Sequence, residues 1–266
     1  SIRRQRQMCI RDRFGIASYF LILNKLEFSL YTFTFLILSM VSIRAYGMSV
    51  NRIVDKKIDA LNPRTKNREL VTGEVSTDSA VVLTIISLLI FYITLTRFNI
   101  MALWLSPVVV LVFTLYPFTK RVTYLCHFFL GLVYLMVPPA IEIAVTGSFS
   151  LETLVLGISG FFWVSGFDII YAILDVDIDK KQNIYSIPSK FGVPNSIKIA
   201  WVCHLFTLLG IASLGIIQQL GLIYWVGCTI LLALFAREHM IIMTINKNNV
   251  EKAFFCLLYT SDAADE

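Results

Sequence analysis

The side chains best suited to chemistry begin with an amide and two carboxylates spaced four residues apart: Asn51, Asp55 and Asp59. In a helix this spacing puts all three on one face, and the two carboxylates repel each other unless a cation lies between them. Oxygen ligands of this kind suit Mg²⁺, which typically takes one or two carboxylates and adds phosphate oxygens and water. Taken alone, the motif is better explained by a solvated helix end whose carboxylates pair with nearby lysine and arginine side chains.

A second acidic motif repeats the pattern, with Asp175 and Asp179 four residues apart and Asp168 about two turns earlier on the same side. Asp168 falls within a hydrophobic stretch, where an ionisable side chain is costly to insert and therefore indicates a function. Asp177 has the wrong phase for this face and is expected to be solvated. Two acidic helix faces that enter one cavity would hold two Mg²⁺ ions bridged by a diphosphate.

Membrane-spanning helices must position these motifs, because 57% of the residues are hydrophobic, only 15% are charged and the mean hydropathy is +0.73. About 20 apolar residues in a helix cross the hydrocarbon core of a bilayer. We therefore predict an all-α fold, a polytopic membrane helical bundle without a separate soluble domain. The predicted spans are 28–47, 78–96, 99–117, 122–145, 151–172, 194–216 and 219–236.

Lysine and arginine residues gather in every second loop between these spans, which assigns those loops to the cytoplasm by the positive-inside rule. The two longest polar stretches, 51–76 and 174–193, carry most of the acidic motifs and lie on that side. We expect an integral protein of a bacterial inner membrane whose active-site loops face the cytoplasm. The lipid bilayer is the expected surrounding, and no nucleic-acid partner is expected.

The two ends of the chain resemble a sequencing-library adapter read in opposite directions. One synonymous coding of residues 3–12 has a reverse complement that translates as residues 256–265. Because every residue of the two segments agrees, coincidence is a poor explanation. We expect residues 1–13 and 256–266 to be adapter-derived, and residues 14–255 to be a membrane domain truncated at both ends.

Together the two motifs resemble the paired signatures of the UbiA superfamily of intramembrane prenyltransferases, NxxxDxxxD and DxxYAxxDxxxD. The flanking segments that resemble the family are 62–65 with Arg68, 116–121, and 186–188 with 191–192. The family has nine transmembrane helices, so the resemblance implies that about seven are complete here. Residues 14–23 would then end the first family helix, and residues 253–255 would begin the last.

The resemblance implies a Mg²⁺-dependent enzyme that transfers a polyprenyl group from a polyprenyl diphosphate to an aromatic acid acceptor in ubiquinone or menaquinone biosynthesis. The implied catalytic residues are Asp55, Asp59, Asp168, Asp175 and Asp179. The implied Mg²⁺ ligands are Asn51, Asp55, Asp59, Asp175 and Asp179. The candidate diphosphate-binding residues are Lys120, Arg121, Arg52, Arg64 and Arg68.

The acceptor ring is left open between 4-hydroxybenzoate and a naphthoate, either 1,4-dihydroxy-6-naphthoate or dihydroxynaphthoate. Segments 51–70 and 186–192 resemble the futalosine-route menaquinone branch of the family. Arg44 is the candidate cation for the carboxylate of the acceptor, although an arginine near a helix end also reaches towards lipid headgroups. Tyr171 is the second candidate acceptor contact, because it shares a helix face with the acidic motif.

Two other classes of membrane protein also carry functional carboxylates. A CDP-alcohol phosphotransferase is also rich in aspartate, but its Asp-Gly-x-x-Ala-Arg element is absent from this sequence. A cation transporter would place its carboxylates near the midplane on broken helices, whereas most of the acidic positions here fall at helix ends. The three histidines, His127, His204 and His239, share no metal-ligand spacing and are expected in the core or at helix interfaces.

Overall fold

Every regular element is helical in the part of the chain that the computed structural model describes, residues 15–22 and 28–243. This confirms the predicted all-α fold. The elements are α1 (15–22), α2 (Leu30–Leu61), α3 (Glu69–Thr72), α4 (Thr77–Leu95), α5 (Ile100–Thr119), α6 (Cys126–Thr146), α7 (Leu151–Ala172), α8 (Val176–Lys181), α9 (Ile187–Ile217) and α10 (Leu222–Met243). A 3₁₀ turn, Ile173–Asp175, joins α7 to α8.

Among the described residues, seven helical stretches are long and apolar enough to cross a membrane. They are α2, α4, α5, α6, α7 with α8, α9 and α10, and each predicted span falls on one of them. Helix α2 runs well beyond the apolar span 28–47, so its last turns carry the first acidic motif out of the apolar region. The chain is therefore an integral membrane protein by length and composition of its helices.

Apolar side chains cover the outside of the bundle, and small polar side chains lie within it. Trp104 and Ile223 are 74% and 89% exposed, as expected for side chains that face lipid. Ser165 and Thr153 are completely buried between helices. Without a hydrophobic force between helices in lipid, close packing and buried hydrogen bonds must hold them together, which favours small residues at the contacts.

The helices pack as neighbours in the order α10, α9, α7, α6, α5, α2 and α4. Glycines permit close contact between α6 and α7. A Cβ atom at position 157 would lie 2.4 Å from the carbonyl oxygen of Leu135, and one at position 131 would lie 2.6 Å from that of Phe161. Glycine is needed at both positions because a side chain would force the backbones apart.

Helix α1 packs against α2 and α6, where Tyr19 and Ile22 meet Leu36 and Ile141 in a buried cluster. With α7, α9 and α10 it also lines an apolar cavity of about 440 Å³. Its position is compatible with the expectation that residues 14–23 end a family helix. The proposed start of a last helix at 253–255, and both expected adapter segments, lie outside the described residues.

Glu142 is a buried acid in α6, and it serves the first turn of α7. Its Oε2 atom accepts hydrogen bonds from the Ser150 backbone N–H at 2.8 Å, the Ser150 hydroxyl at 2.7 Å and the Thr153 hydroxyl at 2.6 Å. A carboxylate at a helix N-terminus satisfies free N–H groups and complements the helix dipole. These contacts account for the acid without a role in catalysis.

Candidate active site

Asp55 lies at the centre of the first group of polar contacts, and its side chain is only 3% exposed. The Lys120 ammonium binds its Oδ2 atom, and the Arg121 guanidinium lies 3.2 Å from its Oδ1 atom. The side-chain amide of Asn51 donates to Asp55 Oδ2 at 3.3 Å and to the Tyr116 hydroxyl at 3.1 Å. A buried carboxylate therefore has two positive partners and one amide donor.

The end of α5 supplies these cations. They are the last two residues of segment 116–121, one of the segments that resemble the family. Lys120 is the C-cap residue of α5. Arg121 donates to the carbonyl oxygen of Pro117 at 3.1 Å and to that of Val54 at 2.9 Å. The bond to Pro117 satisfies a carbonyl in the last turn of α5, and the bond to Val54 ties the guanidinium to α2 beside Asp55.

The turn after α2 carries the next two cations. Asp59, 8% exposed, is paired with Arg68. The side-chain oxygen of Asn62 accepts from the Arg64 backbone N–H at 2.9 Å, and the Thr65 hydroxyl donates to the carbonyl oxygen of Asp59 at 3.0 Å. Segment 62–65 is therefore a hydrogen-bonded turn that directs Arg64 and Arg68 back towards the acidic helix end.

Asp175 joins the two acidic motifs. It accepts from the Asn62 side-chain amide at 3.0 Å and from Arg64 Nε at 3.1 Å, and Arg64 Nη2 binds its second oxygen. Arg64 also donates to the Tyr171 hydroxyl, with its guanidinium 4.6 Å from the centre of the Tyr171 ring. The first motif thus reaches the second through a two-pronged arginine–carboxylate contact.

The Arg64 guanidinium stays positively charged in this setting. Desolvation by itself would lower the pKa of the guanidinium, but the hydrogen bond to Asp175 and the nearby negative charge of Asp59 raise it above its ordinary value. Arg64 therefore remains a cation, and it also retains 32% exposure of its side chain.

The second motif does not lie on one continuous α-helix. Helix α7 ends at Ala172, and the 3₁₀ turn that follows changes the helical phase before α8 begins at Val176. A 3₁₀ turn has three residues per turn rather than 3.6, so simple spacing no longer predicts a shared face. Asp177 is exposed, as predicted.

Asp168 has a histidine partner that the sequence did not indicate. His127 Nδ1 lies 2.7 Å from Asp168 Oδ2, and the backbone N–H of Ile187 donates to His127 Nε2 at 3.2 Å. Because Nε2 accepts a hydrogen bond, the proton of a neutral imidazole is on Nδ1 and is donated to Asp168. The only sequence signal was the expectation that an intramembrane carboxylate has a partner within the bundle.

Asp179 meets the beginning of α9. The Ser186 hydroxyl donates to Asp179 Oδ2 at 2.9 Å and accepts from the Ser189 backbone N–H at 3.3 Å as the N-cap of the helix. The Tyr185 backbone N–H donates to the carbonyl oxygen of Lys120 at 2.8 Å. Tyr185 and Ser186 therefore connect the second motif to the end of α5.

Gly192 interrupts α9 shortly after this cap, with φ of 77° and ψ of 165°. Glycine adopts this positive φ readily, whereas other residues rarely do. The long apolar part of α9 follows, close to the predicted start at 194.

Two predicted binding residues lie further from these ion pairs. Arg52 Nη1 lies 3.3 Å from Glu69 Oε2, which directs it towards the short helix α3. Arg44 is half-buried on α2, about two turns before Asn51. The remaining predicted residues fall into separate groups of contacts. Asp55 contacts Asn51, Lys120 and Arg121. Asp59 and Asp175 share the turn that carries Arg64 and Arg68, whereas Asp168 contacts His127 and Asp179 contacts Ser186.

The sequence profile of the UbiA prenyltransferase family matches residues 14–260. The chain belongs to the UbiA prenyltransferase family. A 4-hydroxybenzoate octaprenyltransferase of Shewanella sp. (strain ANA-3) is 32% identical over 218 residues, which are 82% of this chain and 76% of the relative. A protein of the same description from Shewanella oneidensis is 31% identical over the same shares of both chains. The predicted membership of a prenyltransferase family is confirmed.

Solved structures of UbiA members share the fold. An apo UbiA homolog from Aeropyrum pernix K1 superimposes with a TM-score of 0.83 at 29% identity, covering 92% of this chain and 90% of its own. A UbiA homolog from Archaeoglobus fulgidus bound to GPP and Mg²⁺ has a TM-score of 0.66 at 18% identity, covering 87% and 85%. At this lower identity the second likeness shows the fold alone.

The hydrogen bonds of His127 predict its tautomer. At neutral pH we expect ¹⁵N NMR of the labelled protein to show Nδ1 protonated and Nε2 unprotonated, because the Ile187 N–H occupies Nε2. His127→Gln identifies the signal by removing it, and His204→Gln is the matched control that leaves it in place. A His127 signal protonated on Nε2 would contradict the described contact.

Proposed function

We propose that this UbiA family member transfers a polyprenyl group from a polyprenyl diphosphate to a ring carbon of an aromatic acid, with Mg²⁺ as cofactor. The observation that carries the proposal is the junction of the acidic motifs, where Asn62 and Arg64 bind Asp175. The names of the Shewanella relatives and the GPP and Mg²⁺ bound to the Archaeoglobus homolog support it. The transporter alternative loses support, because the ion-paired carboxylates Asp55, Asp59 and Asp175 gather at helix ends.

The donor set suits Mg²⁺. The proposed ligands offer only hard carboxylate and amide oxygens, which Mg²⁺ prefers. They are Asn51, Asp55, Asp59, Asp175 and Asp179. When bound, Mg²⁺ would neutralise charge on the diphosphate and so make it a better leaving group.

The cations of the site have a second task in this proposal. Lys120, Arg121, Arg64 and Arg68 all pair with carboxylates, and an incoming diphosphate offers them stronger charge-assisted hydrogen bonds. Separating a buried ion pair costs about 3–5 kcal/mol, so Asp55 and Asp59 release their cations only when other positive charge replaces them. We therefore assign diphosphate binding to these four cations, and Arg52, which pairs with Glu69 on α3, stays a further candidate.

Tyr171 gains a role from the same exchange. In the described state the Arg64 guanidinium covers its ring. Once Arg64 turns to the phosphate oxygens, the ring face is available to the allylic carbon, where positive charge develops as the C–O bond to the diphosphate breaks. Such a contact is worth up to about 2 kcal/mol when water is excluded.

The transfer needs no protein nucleophile. The ring carbon of the acceptor forms a bond to the allylic carbon, the diphosphate leaves with the electron pair of the C–O bond, and the ring carbon then loses a proton. We assign Asp168 as the group that accepts this proton, with His127 as its positioning residue. The Nδ1–H bond from His127 keeps the carboxylate oriented.

The cytoplasm is the proposed side of the site. The loop after α2, the end of α5 and segment 176–186 meet there, and all three are rich in lysine and arginine. We propose a bacterial inner membrane as the location, in line with the positive-inside rule. The adapter origin of the two chain ends stays a prediction.

Removing one carboxylate from either motif should abolish turnover. We expect Asp55→Asn and Asp175→Asn each to lower kcat at least ~100-fold, a typical loss for one preorganised electrostatic group. The measurement is Mg²⁺-dependent release of diphosphate from a polyprenyl diphosphate by purified protein supplied with 4-hydroxybenzoate. Asp177→Asn, an exposed carboxylate of the same segment, is the control and should retain activity. Turnover that persists in both test variants, with Mg²⁺ dependence intact, would refute the assignment.

Arg44 is the proposed binding residue for the acceptor. We propose 4-hydroxybenzoate as acceptor, with the naphthoates as alternatives, and Arg44 as the partner of its carboxylate. Arg44→Ala should raise the KM for the acceptor about 10- to 100-fold, from roughly 1.5–3 kcal/mol for a charged hydrogen bond, with the KM for the diphosphate unchanged. Arg44→Lys should recover part of the loss. An unchanged acceptor KM would favour contact with lipid headgroups, and turnover with a naphthoate alone would reassign the acceptor.

A further inference from the structure

A second polar cluster lies on α9 and α10, which carry none of the acidic-motif residues. It consists of His204, Glu238 and His239, which are 2%, 0% and 2% exposed. His204 Nδ1 lies 3.0 Å from His239 Nε2 and 3.5 Å from Glu238 Oε2. No sequence pattern indicates this cluster, because His204 is 35 residues from His239 and no ligand spacing connects them.

The hydrogen-bonding capacity of the cluster is largely unused. Both oxygens of Glu238, as well as His204 Nε2 and His239 Nδ1, are buried without a hydrogen-bond partner among the described residues. A polar atom buried in this way typically costs about 1–3 kcal/mol, and a charged one costs more. Ionisable side chains within a membrane span are by default functional, which makes a ligand the natural explanation.

The spacing of the three ligand atoms matches a metal site. One nitrogen or oxygen from each residue lies within 4.8 Å of the others. Two ligands about 2.0–2.1 Å from a tetrahedral Zn²⁺ are roughly 3.3 Å apart. The two distances from His204 Nδ1, 3.0 and 3.5 Å, lie on either side of that value. These two pairs would need shifts of only a few tenths of an ångström, and the third pair, Glu238 with His239, lies within 4.8 Å.

We propose that His204, Glu238 and His239 bind one divalent transition-metal ion of the Zn²⁺ class, at a site separate from the proposed Mg²⁺ site. Two imidazole nitrogens favour Zn²⁺ over Mg²⁺, which prefers oxygen ligands. The three protein ligands leave a fourth position for a water molecule.

The surroundings hold His204 in the orientation that this site requires. The ring of Phe235 stacks on the imidazole, with centres 4.3 Å apart and planes 9° from parallel. On the other side, Gly166 of α7 allows the ring to approach, since a Cβ atom there would lie 2.7 Å from His204 Cδ2. These contacts fix Nδ1 towards His239 and Glu238, so a bound ion would fasten α10 to α9.

Metal content tests the proposal directly. The purified chain in detergent is loaded with Zn²⁺, washed in excess Mg²⁺ and analysed by mass spectrometry for zinc per chain. We expect one equivalent in the unmodified protein and in Asp55→Asn/Asp175→Asn, and a loss of nearly all of it in His204→Ala/His239→Ala. Zinc that disappears with the aspartates and persists without the histidines would overturn the proposal.

X-ray absorption at the zinc edge gives an answer even if the histidine variants fail to fold. The unmodified protein should show two imidazole nitrogens at about 2.0–2.1 Å from the ion. A spectrum of oxygen neighbours alone would reject the site. Failure to retain any zinc would equally reject it.

Discussion

The need to neutralise carboxylates at the end of a membrane helix bundle governs the arrangement of the whole site. Asp55 and Asp59 are almost fully buried, and each has a cation from another segment: the end of α5 for Asp55 and the turn after α2 for Asp59. Asp175 draws Asn62 and Arg64 across from the first motif. Because a buried carboxylate without a partner is strongly unfavourable, these segments cannot separate without loss of stability. The ion pairs therefore hold the end of α5 and the turn after α2 in place around the carboxylates.

The same pairing gives the site a means of responding to substrate. Four cations that neutralise carboxylates are also four groups suited to phosphate oxygens, and the carboxylates they leave are suited to a divalent metal. In our proposal, binding is an exchange of partners in which no buried charge is left alone. Arg64 links this exchange to Tyr171, because its guanidinium covers the Tyr171 ring. The final proton transfer is assigned to Asp168, which His127 contacts.

Much of this could be predicted from the sequence, because the signals were local. Long apolar runs predict the spanning helices, and the four-residue spacing of Asn51, Asp55 and Asp59 predicts one helical face. The contact of His127 with Asp168, 41 residues away, depends on how α6 packs against α7, for which no local pattern exists. The 3₁₀ turn Ile173–Asp175 could not be predicted either, because its residues are compatible with continued α-helix. The cluster around Glu238 likewise arises from packing between two helices.

If the cations of the site move to the diphosphate while the carboxylates bind the metal, then metal and diphosphate must bind cooperatively. Paramagnetic Mn²⁺, in place of Mg²⁺, allows the measurement by electron paramagnetic resonance, without acceptor present. We expect a polyprenyl diphosphate to increase the affinity for Mn²⁺ at least ~10-fold, and Mn²⁺ to increase the affinity for the diphosphate by the same factor, as linkage requires. Asp55→Asn should weaken this coupling. Equal Mn²⁺ affinity with and without the diphosphate would contradict the account.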